Sequence, residues 1–171
     1  SDRSDGVSAL RAGDQFGNHN PDRDGYRLDS AQLQAGLRPV AGQRVGLKLV
    51  RTRLNSQYDA SGFLAPTFSQ NNTPDFRSRL NTDVSSIDWR GEFGAELVAS
   101  ARGSRSVDDS RSGGSVTSRF RTTRQLLGAQ VVWRNGPFGQ WVAALERNED
   151  RATSTSFRAD VERRNTALVL E

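Results

Sequence analysis

Apolar and polar residues alternate one by one along most of this chain. Between 31 and 37, alanine and leucine take every second position, and Gln32, Gln34 and Gly36 stand between them. Successive side chains of a β-strand point to opposite faces, whereas a helix repeats its apolar residues every three or four positions. The alternation therefore predicts β-strands with one apolar face. It recurs in the segments 44–49, 80–89, 92–102, 127–133, 141–145 and 166–170.

Composition agrees with an all-β chain and removes several classes of protein. Hydrophobic residues make up only 34% of the 171 residues, which suits strands that need apolar side chains on one face alone. Charged residues of both signs are mixed and the net charge is +4, so we expect no nucleic-acid partner. Cysteine is absent and His19 is the only histidine, which excludes disulfides, thiolate metal sites and zinc sites built on several histidines. We expect no enzymatic activity and no catalytic cofactor.

Short and long connections join the alternating segments. The sequence predicts short turns at 38–42, 90–92 and 135–139 and long polar loops at 13–25, 57–77, 107–118 and 148–155. Short turns at one end of a sheet and long loops at the other are typical of transmembrane barrels. The prediction is an all-β, antiparallel up-and-down meander of about seven or eight strands, forming part of a transmembrane β-barrel across residues 1–171.

The tryptophans favour lipid over water as the solvent of the apolar face. Trp89, Trp133 and Trp141 all stand next to predicted short turns, where an interfacial aromatic girdle would lie. The apolar stripes contain many small residues and few of the large branched ones that a packed core prefers. A soluble β-sandwich also alternates, with its apolar stripe buried, and it stays open as the alternative.

A candidate metal site begins in the loop that precedes the segment 31–37. Asp22 and Asp24 are two positions apart and a glycine follows, as at the start of a calcium loop, because calcium prefers several oxygen ligands. The complete EF-hand pattern is absent, and an ordinary Asp-Gly turn is the alternative. Asp59 and Asp75 lie in the next predicted long loop on the same side of the barrel. The four aspartates are predicted to converge on one cation.

Two acidic pairs fall in the other predicted loops. Asp108 and Asp109 lie within 107–118, and Glu149 and Asp150 lie within 148–155. No histidine or nucleophile motif accompanies them, so we interpret both pairs as solvated loop residues rather than as a general acid and base.

Six motifs, taken in order, resemble the TonB-dependent cobalamin receptors of the Gram-negative outer membrane. The resemblance covers essentially the whole chain, and the order and spacing of the motifs carry it. They are SDGVSAL at 4–10, NPDRDGYR at 20–27, NSQYD at 55–59, TPDFR at 73–77, WRGEF at 89–93 and RRNTAL at 163–168.

The resemblance implies a function in transport. In that family a barrel encloses a plug domain, takes up cobalamin with energy from TonB, and binds calcium through aspartates of its extracellular loops. Asp22 and Asp24 match the family's Asp-x-Asp-Gly positions, Asp59 follows the strand-end Tyr58, and Asp75 closes the loop. Tyr58 and Asp14 are weaker candidates for contact with the substrate. A further family ligand position holds Val7 or Ser8 here, and Asp14 is a candidate substitute.

The same resemblance leads us to expect a fragment of the receptor. The chain shows no plug domain and no TonB box, and it ends in Glu171 where such barrels end in an aromatic residue. We therefore expect an internal stretch of barrel wall in the outer membrane of a Gram-negative bacterium, in contact with lipid and coupled to TonB through a plug outside this chain. The alternatives are a siderophore receptor of the same family and a stand-alone small outer-membrane barrel with a structural or adhesive role.

Overall fold

Ten strands and no helix make up the regular structure in the part of the chain that the structure describes. The computed structural model describes residues 1–8, 10–114, 116–135, 139–156 and 160–171. The strands are β1 (Asp2–Val7), β2 (Asp24–Leu37), β3 (Gln43–Gln57), β4 (Gly62–Leu64), β5 (Ser69–Asn71), β6 (Arg77–Phe93), β7 (Leu97–Gly113), β8 (Thr117–Arg134), β9 (Gln140–Ser154) and β10 (Val161–Leu170).

Eight of these strands form one antiparallel sheet in which neighbours in sequence are neighbours in space. The order is β1-β2-β3-β6-β7-β8-β9-β10, and β4 pairs with β5 as a separate small hairpin between β3 and β6. This confirms the predicted all-β meander and its number of strands. The sheet is open, with β1 and β10 at its two edges. Since all eight long strands share one sheet, the two facing sheets of a sandwich are not formed by the described residues.

The two faces of the sheet are exposed to different degrees, and the more exposed face is the apolar one. Along β9, Trp141 and Leu145 are 58% and 50% exposed, whereas Val142 and Ala144 between them are half-buried. We call the side that carries Trp89, Trp133 and Trp141 the tryptophan face, and cross-strand register places all three on it. No apolar side chain is fully buried among the described residues.

One predicted turn is shifted along the chain. The segment 92–102 is not a single strand, because β6 ends at Phe93 and β7 begins at Leu97. The turn therefore lies at 94–96 instead of 90–92, and Gly94 adopts a positive φ of 69° there, which favours glycine. Gly91 lies inside β6 beside the rings of Trp89 and Phe93, whose centroids are 6.2 Å apart.

Two of the four predicted long loops were wrong. The stretches 107–118 and 148–155 belong mostly to β7, β8 and β9, which continue far beyond their apolar positions. Charges of opposite sign meet across these strand extensions: Asp109 binds Arg119, and Arg124 Nε donates to Asp150 Oδ1 at 2.7 Å. Cross-strand pairs of this kind stabilise a polar strand pair. The two acidic pairs consequently lie in strands.

The remaining connections follow the prediction where the structure describes them. The short turn at 38–42 joins β2 to β3, and the amide of Gln43 donates to the carbonyl of Val40 at 3.1 Å. Of the turn at 135–139, residues 136–138 lie outside the described part, and Asn135 donates its amide to Gly139 at 2.9 Å. The described residues contain no helix long and apolar enough to cross a membrane.

Candidate metal centre

The two genuine long connections lie side by side at one end of the sheet. One joins β1 to β2, and the other joins β3 to β6 and contains the β4–β5 hairpin. Gln70 and Asn72, on the second loop, donate side-chain hydrogen bonds to the carbonyls of Phe16 and His19 on the first. The Ser61 hydroxyl donates to the carbonyl of Gly17 at 3.4 Å. The loops therefore hold each other in place.

Three of the four predicted aspartates meet where these loops join the sheet. One carboxylate oxygen each of Asp22, Asp24 and Asp59 lies within 4.8 Å of the other two. Asp22 is exposed, whereas Asp24, the first residue of β2, and Asp59, just beyond β3, are half-buried. We call these three residues the aspartate trio. Carboxylates this close repel one another, and a cation between them removes that repulsion.

Further polar side chains border the aspartate trio. The recess that it lines is also bordered by Asn20, Gln57, Tyr58, Asn72 and Asp75. Amide and carboxylate oxygens are the ligands that calcium prefers, and calcium takes several of them. Asn20 extends the Asp22–Asp24 spacing by two positions toward the N-terminus, which is a signal in the sequence. No metal-binding motif marks Gln57 or Asn72, since only the packing of the loops brings them to the recess.

Asp59 also holds the first loop against the second. Its carboxylate accepts the amide hydrogens of Leu10 at 3.0 Å and Asn20 at 3.3 Å. The Ser8 hydroxyl lies 3.2 Å from Asp59 Oδ2. Ser8 is one of the two residues at the position of the further family ligand, so this position contacts the aspartate trio through Asp59. Asp59 therefore fixes the shape of the loop as well as offering a ligand atom.

Asp75 lies at the rim of the recess and outside the aspartate trio. Arg77 Nε donates to its carboxylate at 2.6 Å and the Gln57 amide donates at 3.4 Å. An arginine two positions along the chain thus neutralises this carboxylate. Asp75 can bind a cation at this site only after its ion pair with Arg77 is broken.

Of the weaker candidates, Tyr58 lines the recess and Asp14 does not. The Tyr58 ring packs against Phe76, with ring centroids 5.9 Å apart. The Asp14 carboxylate accepts the amides of Phe16 at 3.2 Å and Asn18 at 3.1 Å, which closes a turn within its own loop. The Asp14 carboxylate therefore stabilises a turn of its own loop and is not positioned to substitute for a ligand.

A glycine beside the recess permits the close approach of β1 to β2. Gly6 lies in the irregular step between Ser4 and Val7, has a φ of +66°, and a Cβ there would be 1.8 Å from the carbonyl oxygen of Asp24. We expect Gly6→Ala to separate β1 from β2 and to displace Asp24. Loss of hydrogen-exchange protection in β1 would report this change.

Gly13→Ala is the matched control for Gly6→Ala. Gly13 also has a positive φ, +84°, but a Cβ there would meet nothing within 4 Å. The control therefore carries the backbone strain of an alanine with positive φ and lacks the clash. Equal protection of β1 in the two variants would show that contact with Asp24 has no role.

Comparison of the chain with protein-family models, with curated proteins and with solved structures gives no match.

Proposed function

We propose that this chain forms part of the wall of a TonB-dependent outer-membrane barrel that takes up cobalamin and holds calcium in its extracellular loops. One observation carries the membrane part of this proposal: the large apolar side chains lie mostly on the more exposed face of the sheet, and the more covered face is the more polar one. In the proposed barrel the tryptophan face is the outer, convex face and the opposite face is the inner, concave one. A soluble protein buries its apolar face instead. Exposed apolar area of this extent needs a solvent that is itself apolar.

The dimensions of the apolar region support the same reading. On β8 the tryptophan face carries Trp133, Val131, Ala129 and Leu127 in succession. The first charge on a neighbouring strand is that of Arg147 on β9, directly opposite Leu127, and Arg105 and Glu149 follow opposite Gln125. At about 3.4 Å per residue and a tilt of ~40°, Arg147 lies roughly 15 Å from Trp133 and the next charges lie roughly 20 Å from it. The apolar band of an outer-membrane barrel is about 25 Å tall.

The two ends of the sheet differ as they do in such barrels. The turns at 38–42 and 94–96 are tight, and Trp133 and Trp141 pair with each other at this end. Both long loops and the aspartate trio lie at the other end. In the proposed orientation the tight turns face the periplasm and the loops face the outside, where the substrate arrives.

Calcium and cobalamin have separate roles in this proposal. Calcium bound by the aspartate trio cancels the repulsion of three carboxylates and fixes the two long loops, so that cobalamin meets a preordered surface that includes Tyr58. No bond of the substrate changes. Transport is driven through the plug domain by TonB, in keeping with the family that the sequence resembles.

A stand-alone small barrel is the second candidate, because the meander contains eight strands. Eight is also the smallest usual number in an outer-membrane barrel. Backbone groups on a sheet edge cannot face lipid unsatisfied, so β1 and β10 must pair either with further strands of a receptor or with each other. A structural or adhesive role would follow from closure of β1 against β10.

Binding of cobalamin by outer membranes tests the proposed receptor. Membranes from cells that make the protein in its natural length are expected to retain labelled cobalamin saturably, and chelation of calcium is expected to weaken retention, because mobile loops must then be ordered on binding. Membranes from cells without the protein are the control. Saturable retention of a ferric siderophore in place of cobalamin would identify the siderophore receptor, and retention of neither would favour the structural barrel.

A further inference from the structure

The tryptophan face becomes basic beyond its apolar region. On β8, Leu127 is followed on this face by Gln125, Thr123 and Arg121. The neighbouring strands present further arginines in the rows around these positions, namely Arg51 and Arg53 on β3 and Arg105 on β7. With a rise of about 3.4 Å per residue and a tilt of ~40°, these rows lie roughly 20 to 30 Å from Trp133.

Three of these arginines form no ion pair within the described part of the chain. Arg51 binds Asp83 at 2.6 Å, as is typical of the strand arginines in this sheet. Within the described residues, no carboxylate lies at ion-pair distance from Arg53, Arg105 or Arg121, and all three side chains are exposed. Guanidinium groups without an anionic partner on a lipid-facing surface are expected to take one from the surroundings.

The arginines border two adjoining recesses that share Arg121. Arg105, Arg121 and Arg151 line the first together with Thr123, Thr153 and one carboxylate, that of Glu149. Arg51, Arg53 and Arg121 line the second with Asn81 and two carboxylates, those of Asp83 and Asp109. Asp83 is paired with Arg51, and Asp109 is paired with Arg119. Each recess thus has more guanidinium groups than carboxylates. Guanidinium forks match phosphate oxygens in geometry as well as in charge.

We propose that these two recesses bind phosphate groups of lipid headgroups in the outer leaflet of the membrane, an inference that rests on the proposed barrel. The recesses continue the apolar region on the same convex face, and their distance from Trp133 matches the level at which headgroups replace acyl chains. On the opposite face the nearest row pairs Arg124 with Asp150 at 2.7 Å, so that arginine already has its anion. Because the basic recesses lie on the tryptophan face, they face the lipid in the proposed barrel.

Native mass spectrometry of the protein in micelles of a neutral detergent tests the proposal, with phosphatidate added as the phosphate probe and phosphatidylcholine as the zwitterionic reference. Arg105→Gln combined with Arg121→Gln is expected to weaken retention of phosphatidate by about tenfold or more, because charge-assisted hydrogen bonds to phosphate are lost. Retention of phosphatidylcholine is expected to be unchanged. The protein is used in its natural length.

Lys48→Gln combined with Arg163→Gln is the matched control. It removes the same charge from the opposite face, where both residues are exposed. Equal retention of phosphatidate by the wild type and the Arg105/Arg121 variant, or equal losses in the two double variants, would overturn the proposed phosphate sites. Before any lipid is added, the folding of the wild-type protein is measured in plain buffer without detergent. A protein that stays folded there would overturn the barrel itself.

Discussion

Leu127→Arg is expected to destabilise the protein in a lipid bilayer by about 1 to 2 kcal/mol, because an arginine between the midplane and the edge of the lipid-facing band must leave water. Leu127 is 61% exposed and six positions from Trp133, roughly 15 Å along the barrel axis at a tilt of ~40°. In a protein surrounded by water the same substitution at so exposed a leucine would cost almost nothing. The expected effect is thus large only if the convex face meets lipid.

Leu126→Arg provides the matched control, since the two leucines are neighbours on one strand and point to opposite faces. Leu126 is half-buried on the concave side, in the row of Gln34, Lys48 and Asn148. A water-filled interior accepts arginine there at small cost. Urea titration of the protein reconstituted into phosphatidylcholine vesicles measures both free energies of unfolding. A larger loss for Leu126→Arg than for Leu127→Arg would contradict the membrane orientation.

Asp22→Asn combined with Asp24→Asn is expected to lower the affinity for calcium by about a hundredfold or more, because the affinity of calcium sites depends on the number of charged ligands. The two substitutions keep the size of each side chain and remove two of the three carboxylates of the aspartate trio. Asp59 is left intact, since it also accepts the amides of Leu10 and Asn20 and its loss would disturb the loop. Titration calorimetry with calcium alone measures the affinity.

Two further variants sharpen this experiment. Asp5→Asn with Asp29→Asn removes the same charge from residues of β1 and β2 outside the aspartate trio, each of which pairs with an arginine two positions away, and it is expected to leave the affinity nearly unchanged. Asp75→Asn is expected to cost only a few-fold, because Arg77 already binds that carboxylate at 2.6 Å. Equal affinity of the wild type and the Asp22/Asp24 variant would refute the calcium site.

The strand ends show where local pattern fails to predict the fold. Alternation stops in the polar stretch 107–118, so the sequence predicts a loop, yet β7 and β8 run through it because Asp109 on β7 binds Arg119 on β8. Such pairs depend on which strands become neighbours and in which register. Gly91 and Gly94 illustrate the same limit, since each is a plausible turn residue and only the pairing of β6 with β7 selects Gly94.

The candidate metal centre was likewise predictable from the sequence only in part. The Asp22–Asp24 spacing and the oxygen chemistry are visible in the sequence, and so is the general location of Asp59. The sequence does not distinguish Asp59 from Asp75. Both lie in the loop between β3 and β6, and each is two residues from one of those strands. The contacts between the loops make that distinction, since they bring Asp59 to the recess and leave Asp75 with Arg77.

The sequence alone determined the all-β class, the meander and the composition of each face, because parity along a strand is a property of neighbouring residues. The tertiary structure decided how far the strands extend, which face is more exposed, and which aspartates meet. These properties depend on register and loop packing between segments that are far apart in the chain, and no local pattern encodes them.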